Sequence, residues 1–543
     1  MTEIPLFNSD ILHHIYNNFL VYFKAYDVYK YFIAVVVVLL INWLFVKYWC
    51  DAKYTSFVPK GSVENKSNEK AAWGILLLSF GLYVLRFVAE EQTVLNNFDS
   101  MGPFFINSLQ HGSTPVMRGW RFTPLTHIDT IIIYGISNNY FIIGCWCILK
   151  QILVLYFLYK CFNFIPKTRR LYLVGLINFI PAVFCVNNIV FPEQNVIIFI
   201  LLSLIGLDKF QKTGSARYLL LFLLCMNCAI YTKETSILLY ASYGLYLLYD
   251  GFREGRISFA LIKRPWKQLR KMPIEWLMFV SMLIWLLFYC RATADIADNR
   301  YLKTHASPML QMLGVYAVEL IVTVMALFLL GRKIYKKQFS DMCMFMESSV
   351  IGSVVLVWYI ICWLKIVPTQ DFPESYYVYL PAVFCTIYVF ENIKQVSTQR
   401  YLALLLVLLS LYQNWNCLVN MDGDARHDLM DFIETKAPKL QDKSKKPMTL
   451  YFYSSNLMVD TVFWRTTGWI ASFRSMLTDR NILVKMDKFY ERFINSAYAI
   501  YPISFDTVAR GDYIVINRKS DPDLQGTNNL VYRNRVYDVY GTN

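Results

Sequence analysis

Asp99, Arg118, Arg121 and Lys233 are the residues of this chain whose types and settings best suit chemistry. A carboxylate such as Asp99 can take a proton from a hydroxyl, or hold a divalent cation, when partial burial tunes its pKa. It can equally cap the helix suggested by Ser100 to Gln110, a common use of Asp. Arg118 and Arg121 carry permanent charge in a fork that fits phosphate oxygens. The plainer role for both is to reach up to lipid headgroups; the placement of Arg121 between Trp120 and Phe122 favours a functional one. Lys233 and Glu234 stand where one apolar run ends and the next begins, and ionisable groups at membrane depth face a partner or a cavity. Glu193, in the Pro192-Glu193 turn, reads the same way, with a tight turn at the headgroups as the alternative. Tyr376 and Tyr377 suit an interfacial aromatic belt, or a stack on a sugar ring. Glu91 and His111 add an acid and an imidazole that can support an acceptor or a metal.

The elements that must hold these groups are apolar. The chain has 543 residues, 56% of them hydrophobic and 17% aromatic, which exceeds a soluble composition. Its net charge of +14 gathers in short loops between apolar runs, the pattern of cytoplasmic connections rather than of nucleic-acid binding. Runs at 31–46, 71–89, 140–162, 171–191, 195–207, 218–231, 236–249, 274–290, 309–330, 350–367, 377–390 and 401–411 alternate across a membrane, about a dozen spans. Basic clusters such as Lys167, Arg169 and Arg170, or those between Arg253 and Lys271, fall on one side throughout. Residues 1–30 read as an interfacial segment without a cleavable signal peptide.

The opposite side receives the polar stretches: the long loop Glu90–Asp129, Pro192-Glu193, Lys233-Glu234 and Thr369–Tyr379. From about Asn416 the composition becomes that of a water-soluble α/β unit, expected over 416–543 on the same side as the loop. It reads as a helix at 425–435, strands at 448–453 and 512–517, and a terminal strand or hairpin at 529–540, with further helices around 460–477 and 488–494. The 12 cysteines lie mostly in apolar runs and behave as small hydrophobes; Cys225 and Cys228 have redox spacing but a helical setting. The 6 histidines form no metal motif, so a divalent cation at the loop acids is the one cofactor left open.

Taken in order, this set resembles the GT-C superfamily of integral-membrane glycosyltransferases, which includes protein O-mannosyltransferases and aminoarabinose transferases. Asp99 through Gly112, followed by Gly119-Trp120-Arg121-Phe122-Thr123-Pro124-Leu125, is similar to that group's first external loop. Pro192-Glu193, Thr232-Lys233-Glu234 and Tyr376 to Pro381 are similar to its later turns. The chain departs from the pattern at Ser100, where a second acid is usual, at Tyr376, where an Arg is usual, and in an extra span that puts the N-terminus outside. The resemblance implies a polytopic GT-C-like fold with an extracytoplasmic α/β domain, and the Lys- and Asn-rich composition without a eukaryotic-style signal suggests a bacterial inner membrane. The resemblance further implies an inverting hexosyl or pentosyl transfer from a polyprenyl-phosphate-linked sugar to a lipid-linked or cell-envelope glycan acceptor on the periplasmic face, including O-antigen or polysaccharide chemistry. Asp99 would be the base, and Arg121, Lys233 and Arg118 would hold the donor phosphate. Two other readings remain: a polysaccharide polymerase or ligase using lipid-diphosphate glycans, and a transporter or flippase of lipid-linked sugars, against which the lack of an internal repeat weighs.

Overall fold

The computed structural model describes residues 28–49, 69–89, 125–126, 128–136, 140–163, 165–185, 192–253, 272–293, 317–336, 344–359, 378–393, 396–420, 423–453 except 440 and 443, 480–486, 499–500, 511–518 and 529–541, with the single positions 16, 255 and 270. Its helices, in chain order, are α1 (Val28–Trp49), α2 (Glu69–Ala89), α3 (Ile128–Ile136), α4 (Tyr140–Cys161), α5 (Lys167–Ile177), α6 (Pro181–Cys185), α7 (Glu193–Thr213), α8 (Ala216–Thr232), α9 (Ser236–Arg253), α10 (Pro273–Thr293), α11 (Ala317–Tyr335), α12 (Met344–Tyr359), α13 (Tyr379–Asn392) and α14 (Val396–Asn420).

What drives these segments together is an interior of buried Leu, Ile, Val, Phe and Tyr that runs through α1, α4, α5 and α7 to α14. The outer surface is also apolar. Val36, Leu40 and Leu44 on α1, Leu283 and Leu287 on α10, Val324 and Phe328 on α11, and Leu404, Leu408 and Leu411 on α14 are all exposed. Continuous outward stripes of this kind are suited to hydrocarbon, in which helices satisfy their own backbone. This is the surface of a helical membrane protein. Within the described residues, Gly144–Cys161 and Pro273–Cys290 are each apolar for long enough to cross a bilayer, and five shorter apolar stretches accompany them.

The run expected as one span over 171–191 is two pieces, α5 and α6. Pro181 lacks an N–H and pushes the residue before it out of helical conformation, so the helix stops at Ile177 and restarts at Pro181. α3 was not expected either; its cue is an acid in the first turn of an isoleucine-rich run.

The ends of the bundle are chemically distinct. Arg169 at the start of α5 donates to the carbonyl oxygens of Phe390 and, at 3.5 Å, Ile393 where α13 ends. Lys333 at the end of α11 sits 5.5 Å over the Tyr388 ring and pairs with Glu347 of α12 at 3.1 Å. Tyr246 of α9 donates to the same carboxylate at 2.6 Å. Helix ends and starts rich in Lys and Arg thus gather at one end, where cations complement exposed carbonyls.

α15 (Gly423–Lys436) covers a sheet of β1 (Met448–Tyr453), β2 (Ile482–Met486), β3 (Ala499–Ile500), β4 (Tyr513–Asn517), β5 (Asn529–Arg533) and β6 (Tyr537–Gly541). The order is β3-β2-β1-β4-β6-β5. β1 is parallel to β2 and β4, with Leu450 opposite Val484 and Tyr513, while β6 runs antiparallel to β4 and β5. Alternation divides the strands: Met448, Leu450 and Phe452 pack under Leu429 and Ile433 of α15, and Tyr451 faces the other side with Ile514 and Ile516. The expected helix, two strands and terminal hairpin are present at nearly the expected positions. The expected helices around 460–477 and 488–494 lie outside the described residues, as does the interfacial segment 1–30 apart from Tyr16 and residues 28–30, which begin α1.

Candidate functional site

α7 and α8 form an antiparallel hairpin that turns at Gly214, whose φ of 66° is the left-handed conformation that ends a helix. Gly206 allows close approach: a Cβ there would lie 3.0 Å from the Phe222 nitrogen and 3.1 Å from the Tyr218 oxygen. With 21 residues in α7 and 17 in α8, the arms reach about 31 and 26 Å from the turn, so the start of one faces the end of the other. Glu193 begins α7, and Lys233 follows the last residue of α8. Their side chains form an ion pair with only 3% and 5% of their surface exposed. The acid at a helix start and the cation at a helix end each also suit the local backbone dipole. The second Glu193 oxygen, Oε2, has no hydrogen-bond partner among the described residues.

The end of the long polar loop docks on this pair. The Leu125 N–H donates to the Tyr231 carbonyl at 3.1 Å, and the Thr126 hydroxyl donates to the Thr232 carbonyl at 2.6 Å. These carbonyls at the end of α8 have no partner within their own helix, and the loop supplies one. Three residues on, Asp129 in the first turn of α3 accepts from Lys150 at 2.9 Å and from Trp146 at 3.2 Å, both on α4. Lys150 is 1% exposed, in the middle of a predominantly apolar helix.

Neighbouring amides close the circuit. Gln151, next to Lys150, accepts from Gln194, next to Glu193, at 3.1 Å. Gln194 also donates to the Tyr83 hydroxyl at 3.2 Å, and Gln151 donates to Asn178 at 2.7 Å, just past the end of α5. A polar ring therefore passes from Thr126 to the Thr232-Lys233 turn, through Glu193 and Gln194 to Gln151 and Lys150, and back through Asp129. Glu319, at the start of α11, accepts the Ala182 N–H at 2.9 Å. All of this lies away from the basic end, because α5 and α11 each have their opposite terminus there.

Among the described residues each buried lysine of the ring has an acid: Lys233 pairs with Glu193 and Lys150 with Asp129. Among the described residues, Glu193 Oε2 is the oxygen of these pairs left free to accept a further hydrogen bond, together with Asp129 Oδ1. Among the described residues no three of His, Cys, Asp and Glu come together as a metal site requires. Of the residues singled out in the sequence, Lys233 and Glu193 are brought into contact, and Glu234 is half-buried in the next position of the same turn. Asp99, Arg118, Arg121, Glu91, His111, Tyr376 and Tyr377 lie outside the described residues. Lys150 and Asp129 were missed as a pair; a Lys-Gln step inside an apolar run was the available signal.

The fold is similar to that of ArnT. Two crystal structures of ArnT from Cupriavidus metallidurans match, one in the apo state and one bound to undecaprenyl phosphate, with TM-scores of 0.43 and 0.45 and 11% sequence identity in each case. The matches cover 95% and 94% of this chain and 98% of each ArnT chain. No family model and no curated protein matches the sequence.

Proposed function

We propose that the chain is a GT-C-type membrane glycosyltransferase that moves a sugar from a polyprenyl-phosphate donor to a glycan or lipid-linked acceptor. The observation that carries this reading is the docking of the Leu125-Thr126 loop end on the turn that bears the buried Lys233. It brings the close of the polar loop, Leu125 and Thr126, to the turn of the buried Lys233, a residue whose type suits a phosphate. Residues 31–415 form the helical catalytic part, residues 416–543 an α/β cover, and the end of the bundle opposite the basic helix termini is the periplasmic one, with the basic end in the bacterial cytoplasm.

In this mechanism Asp99 takes the proton of an acceptor hydroxyl as its oxygen attacks the anomeric carbon with inversion. The bond from that carbon to the donor phosphate breaks, and polyprenyl phosphate leaves with its electron pair. Arg121 and Arg118 supply positive charge to the phosphate, and Lys233 adds its own when the phosphate competes with Glu193. Glu193, Glu234, Glu91 and His111 surround the acceptor or a divalent cation, and Tyr376 and Tyr377 offer ring faces to a sugar.

The test is transfer by the purified chain in proteoliposomes supplied with a labelled polyprenyl-phosphate sugar and extracted envelope glycolipids. Wild-type chain transfers label, and Asp99→Asn lowers turnover by about 10²-fold or more while leaving donor binding intact. Transfer only from a lipid-diphosphate glycan would replace this reading with the ligase one. Movement of intact donor across the bilayer, unaffected by Asp99→Asn, would replace it with transport.

A further inference from the structure

On the outer face of the bundle, α2, α4 and α5 enclose a groove with a volume of about 490 Å³, within the roughly 300–1,000 Å³ of small-ligand sites. Its floor is the crossing of α2 and α5, where Gly175 lets the helices touch; a Cβ there would lie 2.9 Å from Ile75 Cγ2 and 3.1 Å from the Leu76 nitrogen. Leu76, Leu77, Phe80, Ile152 and Leu155 make its walls almost wholly apolar. The residues at one edge differ. Trp73, Tyr156, Tyr159 and Lys160 line it there, at the end of the bundle where α5 begins with Lys167, Arg169 and Arg170.

Lys160 is exposed and is the one charged residue of the lining; it has no carboxylate partner among the described residues. Its ammonium sits 5.5 Å over the Tyr156 ring. Beside it, the Arg170 guanidinium stacks 4.0 Å over Tyr159 and donates to the Tyr159 carbonyl at 3.0 Å, while its Nε has no acceptor among the described residues. A lipid-facing groove ending in a Trp and two cations without anionic partners among the described residues complements the charge and shape of an amphiphile with a negative head.

The geometry points to a binding site for one anionic diacyl phospholipid in this groove, with an acyl chain along α2 and α4 and the phosphate at Lys160 and Arg170. The site lies at the basic end, away from the polar ring, and does not depend on the transferase reading. An apolar chain fills the walls without leaving polar atoms unpaired, and the cations select the head.

The experiment uses the full chain purified in detergent, delipidated, and incubated with phosphatidylglycerol or phosphatidylcholine, with bound lipid counted by native mass spectrometry. Wild-type chain takes up one phosphatidylglycerol in preference to phosphatidylcholine. Lys160→Glu weakens that binding roughly tenfold or more, from the loss of one attraction and the gain of one repulsion. Leu77→Trp with Ile152→Trp, both at exposed rim positions, fills the groove and abolishes it, while melting in lipid-free detergent stays within a degree or two of wild type. Equal uptake of the two lipids, unchanged binding in either variant, or displacement of phosphatidylglycerol by equimolar polyprenyl phosphate overturns the assignment.

Discussion

Replacing Lys233 by Met tests the buried pair at its weakest point. The substitution removes the ammonium but keeps most of the stem, so packing is nearly unchanged and Glu193 is left with its charge in a site where 97% of its side chain is hidden. Breaking one half of such a pair costs about 3–5 kcal/mol, because the remaining charge has neither water nor a counter-ion. For a chain of 543 residues, at about 2.1 cal/mol/K of unfolding entropy per residue, each kcal/mol moves the midpoint by roughly 1 °C, so Lys233→Met lowers the melting temperature in detergent by about 3–5 °C. Lys212→Met is the control. Lys212 pairs with Asp208 one turn away at 2.7 Å with 36% of its side chain exposed, and such pairs contribute about 0.3–0.5 kcal/mol. The double variant Glu193→Gln with Lys233→Met removes both charges and recovers most of the lost stability.

The same series separates structure from chemistry. If Lys233 meets the donor phosphate, the double variant melts like wild type yet transfers sugar poorly, with the loss in KM for the donor as well as in kcat. Recovery of both properties together would make the pair structural and remove Lys233 from the mechanism. A Lys233→Met chain no less stable than Lys212→Met would refute the buried pair itself.

Other substitutions probe what positions the ring. Gly206→Leu forces side-chain atoms against the backbone of α8 and lowers the melting temperature by an amount matching about 1–3 kcal/mol, whereas Gly214→Asn, at a left-handed turn that Asn tolerates, changes it little. Thr126→Val removes the hydroxyl bonded to Thr232, costing about 0.5–1.5 kcal/mol, but lowers transfer activity by a larger factor because it frees the loop end; an activity loss no greater than the stability loss would count against docking as a functional contact. Lys150→Met strands Asp129 and destabilises to an extent comparable with Lys233→Met, read in the same melting assay.

The sequence showed individual charges more readily than their partners. Lys233 and Glu193 stood out because ionisable residues between apolar runs are expensive, but their pairing spans 40 residues and is made by the fold of α7 against α8. Lys150 was overlooked because a single Lys-Gln step barely alters the hydropathy of α4, although it costs most of all when buried. The break after Ile177 was hidden by apolar residues on both sides, and only Pro181 marked it. In the C-terminal sheet, β1, β4 and the β5-β6 hairpin were legible from alternation and sequence adjacency. β2 was not: it is parallel to β1, has no hairpin turn to announce it, and carries Lys485, whose ammonium reaches the Tyr451 hydroxyl at 3.3 Å.

The polar ring also explains why the loop and the bundle need one another. Each helix pair that meets there leaves polar groups at depths where water is scarce: the end of α8 exposes carbonyls, α7 begins with an acid, and α4 buries a lysine. None of these can be satisfied within its own helix. Leu125, Thr126 and Asp129 arrive from the loop as the missing partners, so the loop end is fixed by the same bonds that make the buried charges tolerable. A site that must hold a charged headgroup beside hydrocarbon has the same requirement. With Lys233 paired to Glu193 and Lys150 to Asp129, the ring keeps the bundle stable at a depth where an unpaired charge would be costly.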